Sequence, residues 1–493
     1  MASVSARPRF HADPFTLGVA SGYPTADGVV LWTRLAPFPL EPDGGMSPDT
    51  VPVHWEVATD ARMRNIVNRG TEYATPDWAF SVHAEPPGLE PARDYWYRFT
   101  AGDARSAIGR TRTAPSASAS PARLRLAVAS CQQYEHGYYA AYRHMLADEL
   151  DLVVHVGDYI YELSWGERRV RHHEGGEAYT LEDYRRRHAL YRSDPDLAAA
   201  HAAYPWLVTW DDHEVDNDYA DSTSELDDEP ELFLARRAAA YRAFYEHMPL
   251  PRAAVPFGHR MRLYAERVFG DLATICMLDQ RQYRSAQACP RDGLRGANRV
   301  GDCAQLADPA RTMLGDRQQR WLHARLAASR GRWNLLAQGV VMSHIDEDPG
   351  EGRRYWTDAW NGYPQARRRL LGFMAERRIA NPVVLSGDIH TFIAGVLNET
   401  PEDPGSPAVG CELVTTSITS QGIPEQQAQA IKALNPNIAF ASSEHRGYLR
   451  LDITPQRLHA DLIGLEDVTR HESERRTIGS FVIEDGRSAL LRA

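Results

Sequence analysis

Leu124-Arg-Leu-Ala-Val-Ala-Ser-Cys131 and, further on, Asp151-Leu-Val-Val-His-Val-Gly-Asp158 decide how this chain folds. Each is a short apolar run closed by a polar residue. Between them Tyr138, Tyr142 and Met145 recur at helical spacing. Strand, helix and strand in that order predict a βαβ unit, hence a parallel sheet with a right-handed crossover.

Working outward, the same rhythm continues. Trp206–Trp210, Leu272–Leu278, Asn334–Ala337 and Pro382–Ser386 read as further strands. Helical stretches are expected around Leu232–Tyr245, Arg317–Leu326 and Gln365–Arg377, and another helix opens at Thr180 as N-cap, with Glu182 and Asp183 in its first turn. The tail returns to strands at Tyr448–Ile453, Leu458–Leu462 and Ser480–Ile483, and no internal repeat is present.

Upstream the pattern differs. Gly28–Thr33, Val53–Val57 and Asp94–Thr100 are strands with no helix between them, and Tyr95, Tyr97 and Phe99 alternate onto one face. A small all-β sandwich over residues 10–115 follows. Thr113–Pro121 is low in complexity and too poor in apolar side chains to pack, so it reads as the connector to a second domain over residues 122–485. A chain of 493 residues supports two domains.

Composition narrows the function. An apolar share of 43% and a charged share of 25% are those of an ordinary globular protein, and no run is long enough to span a bilayer. A net charge of −11 argues against nucleic acid as the main partner. The basic clusters at 167–173 and 184–188 read as a solvated face. Of five cysteines, Cys276 and Cys411 sit in apolar stretches as buried thiols, whereas Cys289 and Cys303 flank a polar loop that a disulfide would stabilise. That pairing points to an oxidising compartment. Residues 1–14 carry neither an apolar signal core nor paired arginines. The expectation is a periplasmic or extracellular protein if an export signal was removed, and a cytoplasmic one if the chain is native as given.

The chemistry lies where strands end. Ser130-Cys131, Gly157-Asp158, Asp211-Asp212-His213-Glu214, Asp279 and Gly387-Asp388-Ile389-His390 each follow an apolar run. In open α/β sheets ligands bind beyond the carboxyl ends of strands. A sheet delivering Cys, Asp and His repeatedly to that edge builds a polynuclear cation site. Gly-Asp alone is a common turn, and a lone Cys is more often a buried thiol. Four adjacent ionisable groups at 211–214 would repel one another without a cation.

The segments Ser130–Tyr142, Gly157–Glu162, Trp210–Asp218 and Leu385–His390 resemble the signature segments of the PhoD-like alkaline phosphatase family. Leu17–Gly22 and Val30–Leu35 resemble that family's N-terminal β-domain, and Asp279–Arg284, Met313–Gly315, Gln318–Leu322 and Trp360–Tyr363 are further matches. The resemblance runs from about Phe15 to Ile483. It implies an α/β (α+β) chain in which the β-sandwich precedes a calcineurin-like metallophosphoesterase αβ sandwich. It also implies a cluster of Fe(III) and Ca(II). The iron ligands would be Cys131, Asp158, Tyr161 and His390, and the calcium ligands Asp158 as a bridge, Asn217 and Asp388, with Asp212 as an addition. Thiolate and phenolate suit a trivalent ion and carboxylate oxygens suit Ca(II). Two positions depart from the family pattern, Asn361 after Trp360 and Gly22-Tyr23-Pro24 near the N-terminus, and neither is an expected ligand.

The expected activity is hydrolysis of small phosphate mono- and diesters, by in-line attack of a metal-bridging oxide or hydroxide. His213 would orient the phosphate or assist the leaving group, with Glu214 as its hydrogen-bonding partner. Phospholipase D-like phosphodiesterase activity belongs to similar families. A binding protein without turnover would show a substituted ligand. A zinc hydrolase of amide or lactone bonds would want several converging histidines. The physiological substrate, ester preference and oligomeric state are left open by the residues.

Overall fold

The structure is a computed structural model that describes residues 8–350 and 352–493. Residues 1–7, which carry half of the export-signal argument, lie outside the described residues. Two large sheets dominate. In the first, of ten strands, Leu124–Ala129, Leu152–Val156 and Pro205–Thr209 run parallel at the centre, with Leu152 opposite Leu126 and Val154 opposite Leu207. Arg446–Ile453, Arg457–Leu465 and Arg475–Glu484 extend it antiparallel on one side. In the second, of seven strands, Ala273–Met277, Trp333–Ala337, Pro382–Ser386 and Ala408–Val414 are parallel.

The two sheets share one core. Leu126, Val128 and Leu207 of the first sheet join Ile275, Leu335 and Leu385 of the second in a single buried cluster. Strand alternation sends Leu336 and Val384 to the opposite face, where they meet Leu322, Leu370 and Ile431 on the helices Gly315–Ala328, Pro364–Arg377 and Glu425–Leu434. The outer face of the first sheet is covered by Leu181–Arg192 and Pro230–His247, through Tyr184, Tyr191, Phe233 and Phe244. The result is four layers, helix–sheet–sheet–helix, as the βαβ reading requires. Thr180 caps its helix with a full capping box, its hydroxyl accepting from the Asp183 N–H.

The N-terminal strands sit differently from a free-standing sandwich. Val19–Gly22, Val30–Arg34 and Ser81–Ala84 continue the ten-stranded sheet, with Ser21 paired to Pro205 and Gly22 to Trp206. A separate five-stranded sheet built on Val51–Ala58 and Asp94–Ala101 packs over this wing. Tyr95, Tyr97 and Phe99 point into a core with Leu31 and Val82. The sandwich has its own core, but one of its layers belongs to the large sheet.

Two expectations change. The 113–121 stretch is poor in apolar side chains, yet Ala114 is buried in the core and the backbone is tied down: the Ala114 N–H donates to Thr25 O, and Ala119 O accepts from the Asp271 N–H. The basic clusters are a solvated face only in part: Arg168, Arg169 and His172 are exposed, but their neighbours turn inward. Arg171 pairs with Asp194 at 2.6 Å and lies over the Tyr134 ring; Arg185 forks onto Glu246; Arg187 is buried and donates to the carbonyls of Tyr161 and Gly176. Guanidinium groups here satisfy buried carbonyls and carboxylates, which costs less than leaving either unpaired. Cys289 and Cys303 form the expected disulfide, and Cys276 and Cys411 are buried thiols. No helix among the described residues is long and apolar enough to cross a membrane.

Candidate metal centre

The carboxyl ends of both sheets meet, and hydrogen bonds to backbone carbonyls stitch the strand ends together. Ile418 N donates to Ser130 O at 2.9 Å, Cys131 N to Gly157 O at 3.1 Å, and the Thr209 hydroxyl to Leu278 O at 2.8 Å. Gly157 lies at φ 114°, and a Cβ there would sit 2.5 Å from the Asp211 Cβ, so only glycine lets these two strand ends approach. Cys131, Asp158, Asp388 and His390 all have positive φ, between 54° and 67°. Left-handed backbone costs a non-glycine residue about 1 kcal/mol or more, and four such residues at one edge mark strain held for a purpose. The turn sends each side chain off the end of its strand into a common space.

There the ligand atoms of Cys131, Asp158 and His390 lie within 4.8 Å of one another. The Tyr161 hydroxyl is 3.0 Å from Asp158 Oδ2 and 3.1 Å from His390 Nε2. His390 Nδ1 lies 2.7 Å from Gln421 O; a carbonyl only accepts, so Nδ1 carries the proton and the Nε2 lone pair faces the cluster. Asp158 Oδ1 is buried with no hydrogen-bond partner. Burial, and then the neighbouring carboxylate of Asp158, pushes the Cys131 thiol well above its ordinary value; burial and Asp158 do the same to the Tyr161 phenol. Asp388 is likewise raised, by burial and then by Asp211, Asp358 and Asp212. Each anion makes the next more costly, and an orphaned carboxylate oxygen points inward. A thiol, a phenol, a carboxylate and an imidazole so arranged fit a cation that offsets their charge.

A second group adjoins it, since ligand atoms of Asp158, Asp212 and His213 also lie within 4.8 Å of one another. Asp158 is common to both. Burial alone would lower the His213 imidazole, but Glu162, Asp212 and Asp158 outweigh it and hold it well above the ordinary histidine range. The Asn217 N–H donates to Glu162 Oε1 at 2.9 Å, which brings residue 217 to the rim of this group.

The partner of His213 is Glu162, not Glu214. Glu162 Oε2 lies 2.8 Å from His213 Nδ1. Glu214 points the other way and accepts the backbone N–H groups of Asp158, Tyr159 and Asp211 at 3.2, 2.6 and 2.8 Å. It clamps the strand ends and reaches no reacting group. Asp211 is also spoken for, by Arg281 Nε at 2.5 Å, so part of the charge at 211–214 is offset by an arginine rather than a cation. Asp279 is a turn acceptor, bonded to Trp210 Nε1 and to the N–H groups of Arg281 and Gln282.

Sequence reasoning missed several groups. Glu162 ends a run of aromatic and apolar residues and is fully buried; an acid in such a run needs a partner, which was the available signal. Ser420, whose hydroxyl lies 2.8 Å from the Tyr161 oxygen, carried no signal. Asp212, Asp218 and Asp358 form a third acidic group, but Asp358 is held by Arg281 at 2.8 and 2.7 Å and by Arg284 at 2.7 Å. Its charge is already compensated.

The sequence model of the PhoD-like phosphatase matches residues 126–462, and that of the PhoD-like phosphatase N-terminal domain matches residues 2–115. The chain is 46% identical over 495 residues to alkaline phosphatase D of Bacillus subtilis (strain 168), covering 99% of this chain and 84% of that protein. A solved structure described as PhoD superposes with a TM-score of 0.94 at 45% identity, covering 98% of this chain and 93% of that one.

Proposed function

Because this chain belongs to the PhoD-like phosphatase family and is therefore a phosphoric ester hydrolase, we propose that it works through a cluster of Fe(III) and Ca(II) at the joined sheet ends. Cys131, Asp158, Tyr161 and His390 would hold iron. Asp158, Asn217 and Asp388, with Asp212, would hold calcium. The observation that carries this reading is the convergence of Cys131, Asp158 and His390 within 4.8 Å around the Tyr161 hydroxyl. Bound there, the cations supply an activated water and charge compensation on the phosphoryl oxygens.

The chain's own groups do the rest. His213, held by Glu162 through Nδ1, turns Nε2 away from that carboxylate and offers a proton to the departing ester oxygen. Glu162 fixes the imidazole while its other oxygen accepts the Asn217 N–H, so one carboxylate registers the acid against a calcium ligand. Glu214 keeps the two strand-end turns at their spacing. No Ser or Thr need act as nucleophile, and a metal-ligated Cys131 is a poor one. Small phosphate esters are the substrates; comparing p-nitrophenyl phosphate with its bis ester sets the preference between mono- and diester. The Cys289–Cys303 disulfide supports a periplasmic or extracellular setting.

Metal analysis of the purified protein, with its visible spectrum, tests the cluster. Iron bound by thiolate and phenolate colours the protein, and calcium chelation abolishes hydrolysis that calcium add-back restores. A colourless, active zinc protein would refute the assignment.

A further inference from the structure

The carbonyl of Gln421, which accepts from His390 Nδ1, belongs to a residue whose N–H is held as well. That N–H donates to His136 Nδ1 at 3.2 Å, and His136 Nε2 lies 2.8 Å from Trp165 O. An N–H only donates and a carbonyl only accepts. His136 is therefore a neutral ring with its lone pair on Nδ1 and its proton on Nε2. His390, the backbone of Gln421, His136 and the Trp165 carbonyl form one hydrogen-bonded chain. The chain closes on itself, because the Trp165 ring lies parallel to the His390 imidazole, with 5.9 Å between centroids and 14° between planes. The same indole meets the His136 ring edge-on at 4.5 Å.

The sequence is fitted to this closure. Gly166 has φ 78°, and a Cβ there would lie 2.5 Å from His136 Nε2 and 2.9 Å from Gln421 Oε1. Glycine alone lets the loop pass so close over the imidazole. Further along the loop, the Gln421 side chain donates to Arg168 O at 3.0 Å, although the Arg168 side chain is exposed. His136 itself is buried. We propose that His136 is a positioning residue of the metal centre. Its one imidazole orients His390 through the backbone of Gln421 and holds Trp165 against the His390 ring. The inference rests on the reading of His390 as a metal ligand and adds the group that fixes that ligand in place. Outer partners of ligating histidines are commonly worth about 10–100-fold in metal affinity or activity.

Three variants separate the two bonds. His136→Phe keeps a ring and removes both. His136→Asn keeps an acceptor near the Nδ1 position but is too short to reach Trp165 O. Gly166→Ala leaves His136 intact and drives the loop off it. Each metal-loaded protein is challenged with a chelator, and metal release is followed by metal analysis. Limited trypsin digestion after Arg168 and Arg169 reads the loop, and melting curves establish that each variant is folded. His136→Phe should release metal at least about tenfold faster than the unsubstituted protein and be cut faster at 168–169. His136→Asn and Gly166→Ala should be cut as readily, yet release metal at close to the unsubstituted rate. Unchanged release from His136→Phe, or release from His136→Asn as fast as from His136→Phe, overturns the inference and leaves the metal-centre reading intact. If His136→Phe does not fold, His136→Asn still decides: a loop no more easily cut, or metal released as fast as from His390→Ala, overturns it. An unsubstituted protein that holds no metal from the start refutes the reading of the centre itself, and the inference with it.

Discussion

Two neighbouring glutamates show how little residue type says about role. Glu162 holds the imidazole of His213, the proposed acid, and Glu214 holds the backbone N–H groups of Asp158, Tyr159 and Asp211. Glu162→Gln should lower kcat by about 10–100-fold with metal content unchanged, since the partner that orients a histidine at a metal site is commonly worth that much. His213→Ala should show the same signature, low turnover and near-normal metal; loss of metal instead would make His213 a ligand. Glu214→Leu should do the opposite, lowering stability and metal content together. It strands three N–H groups, each costing about 1–3 kcal/mol when buried. Thermal melting and metal analysis on the three variants separate these outcomes. Cys131, Asp158, Asp388 and His390 were legible because each closes an apolar strand. The Glu162–His213 pair was not, because it joins positions far apart in sequence through a turn whose path no local pattern encodes.

At the level of elements, some strands buried on both faces were read nearly to the residue, whereas Phe392–Asn398 and Ala408–Val414, also largely buried, were not read at all. Leu152–Val156 and Pro382–Ser386 are continuous apolar runs bounded by turns. Ala265–Phe269 escaped notice because it is the edge of its sheet and carries Glu266 and Arg267, so it has no apolar run to announce it. The helix Leu181–Arg192 was announced by its cap, and that cap matters beyond the helix. Arg187 on this helix reaches the carbonyl of Tyr161, inside the turn that carries Asp158 and Tyr161. Thr180→Ala should cost about 1 kcal/mol, read as a lowered melting temperature. Fraying there should also weaken retention of bound metal during dialysis, because the turn at 158–162 loses its brace.

Over the whole molecule, buried neutral histidines set a lower limit of pH. His83 is held down to about 4, and His155 and His188 to about 3, in each case by burial first. In the unfolded chain they titrate near 6.5, so the unfolded state takes up protons first as pH falls. Their effect on stability is absent above about pH 7 and grows from pH 6.5 downward. At pH 5 each costs the fold about 2 kcal/mol. The melting temperature should be level in alkaline buffer and fall steeply between pH 6.5 and 5, with a shallower fall in His188→Phe; an unchanged value across that range would contradict this account. The pairing of Ser21 with Pro205 has a practical consequence for anyone wishing to dissect the molecule. Cutting at the 113–121 linker would not release a smaller working phosphatase. It would strip Pro205–Thr209 of its neighbour and leave a bare hydrogen-bonding flank in the middle of the molecule, ready to recruit a stray strand and clump.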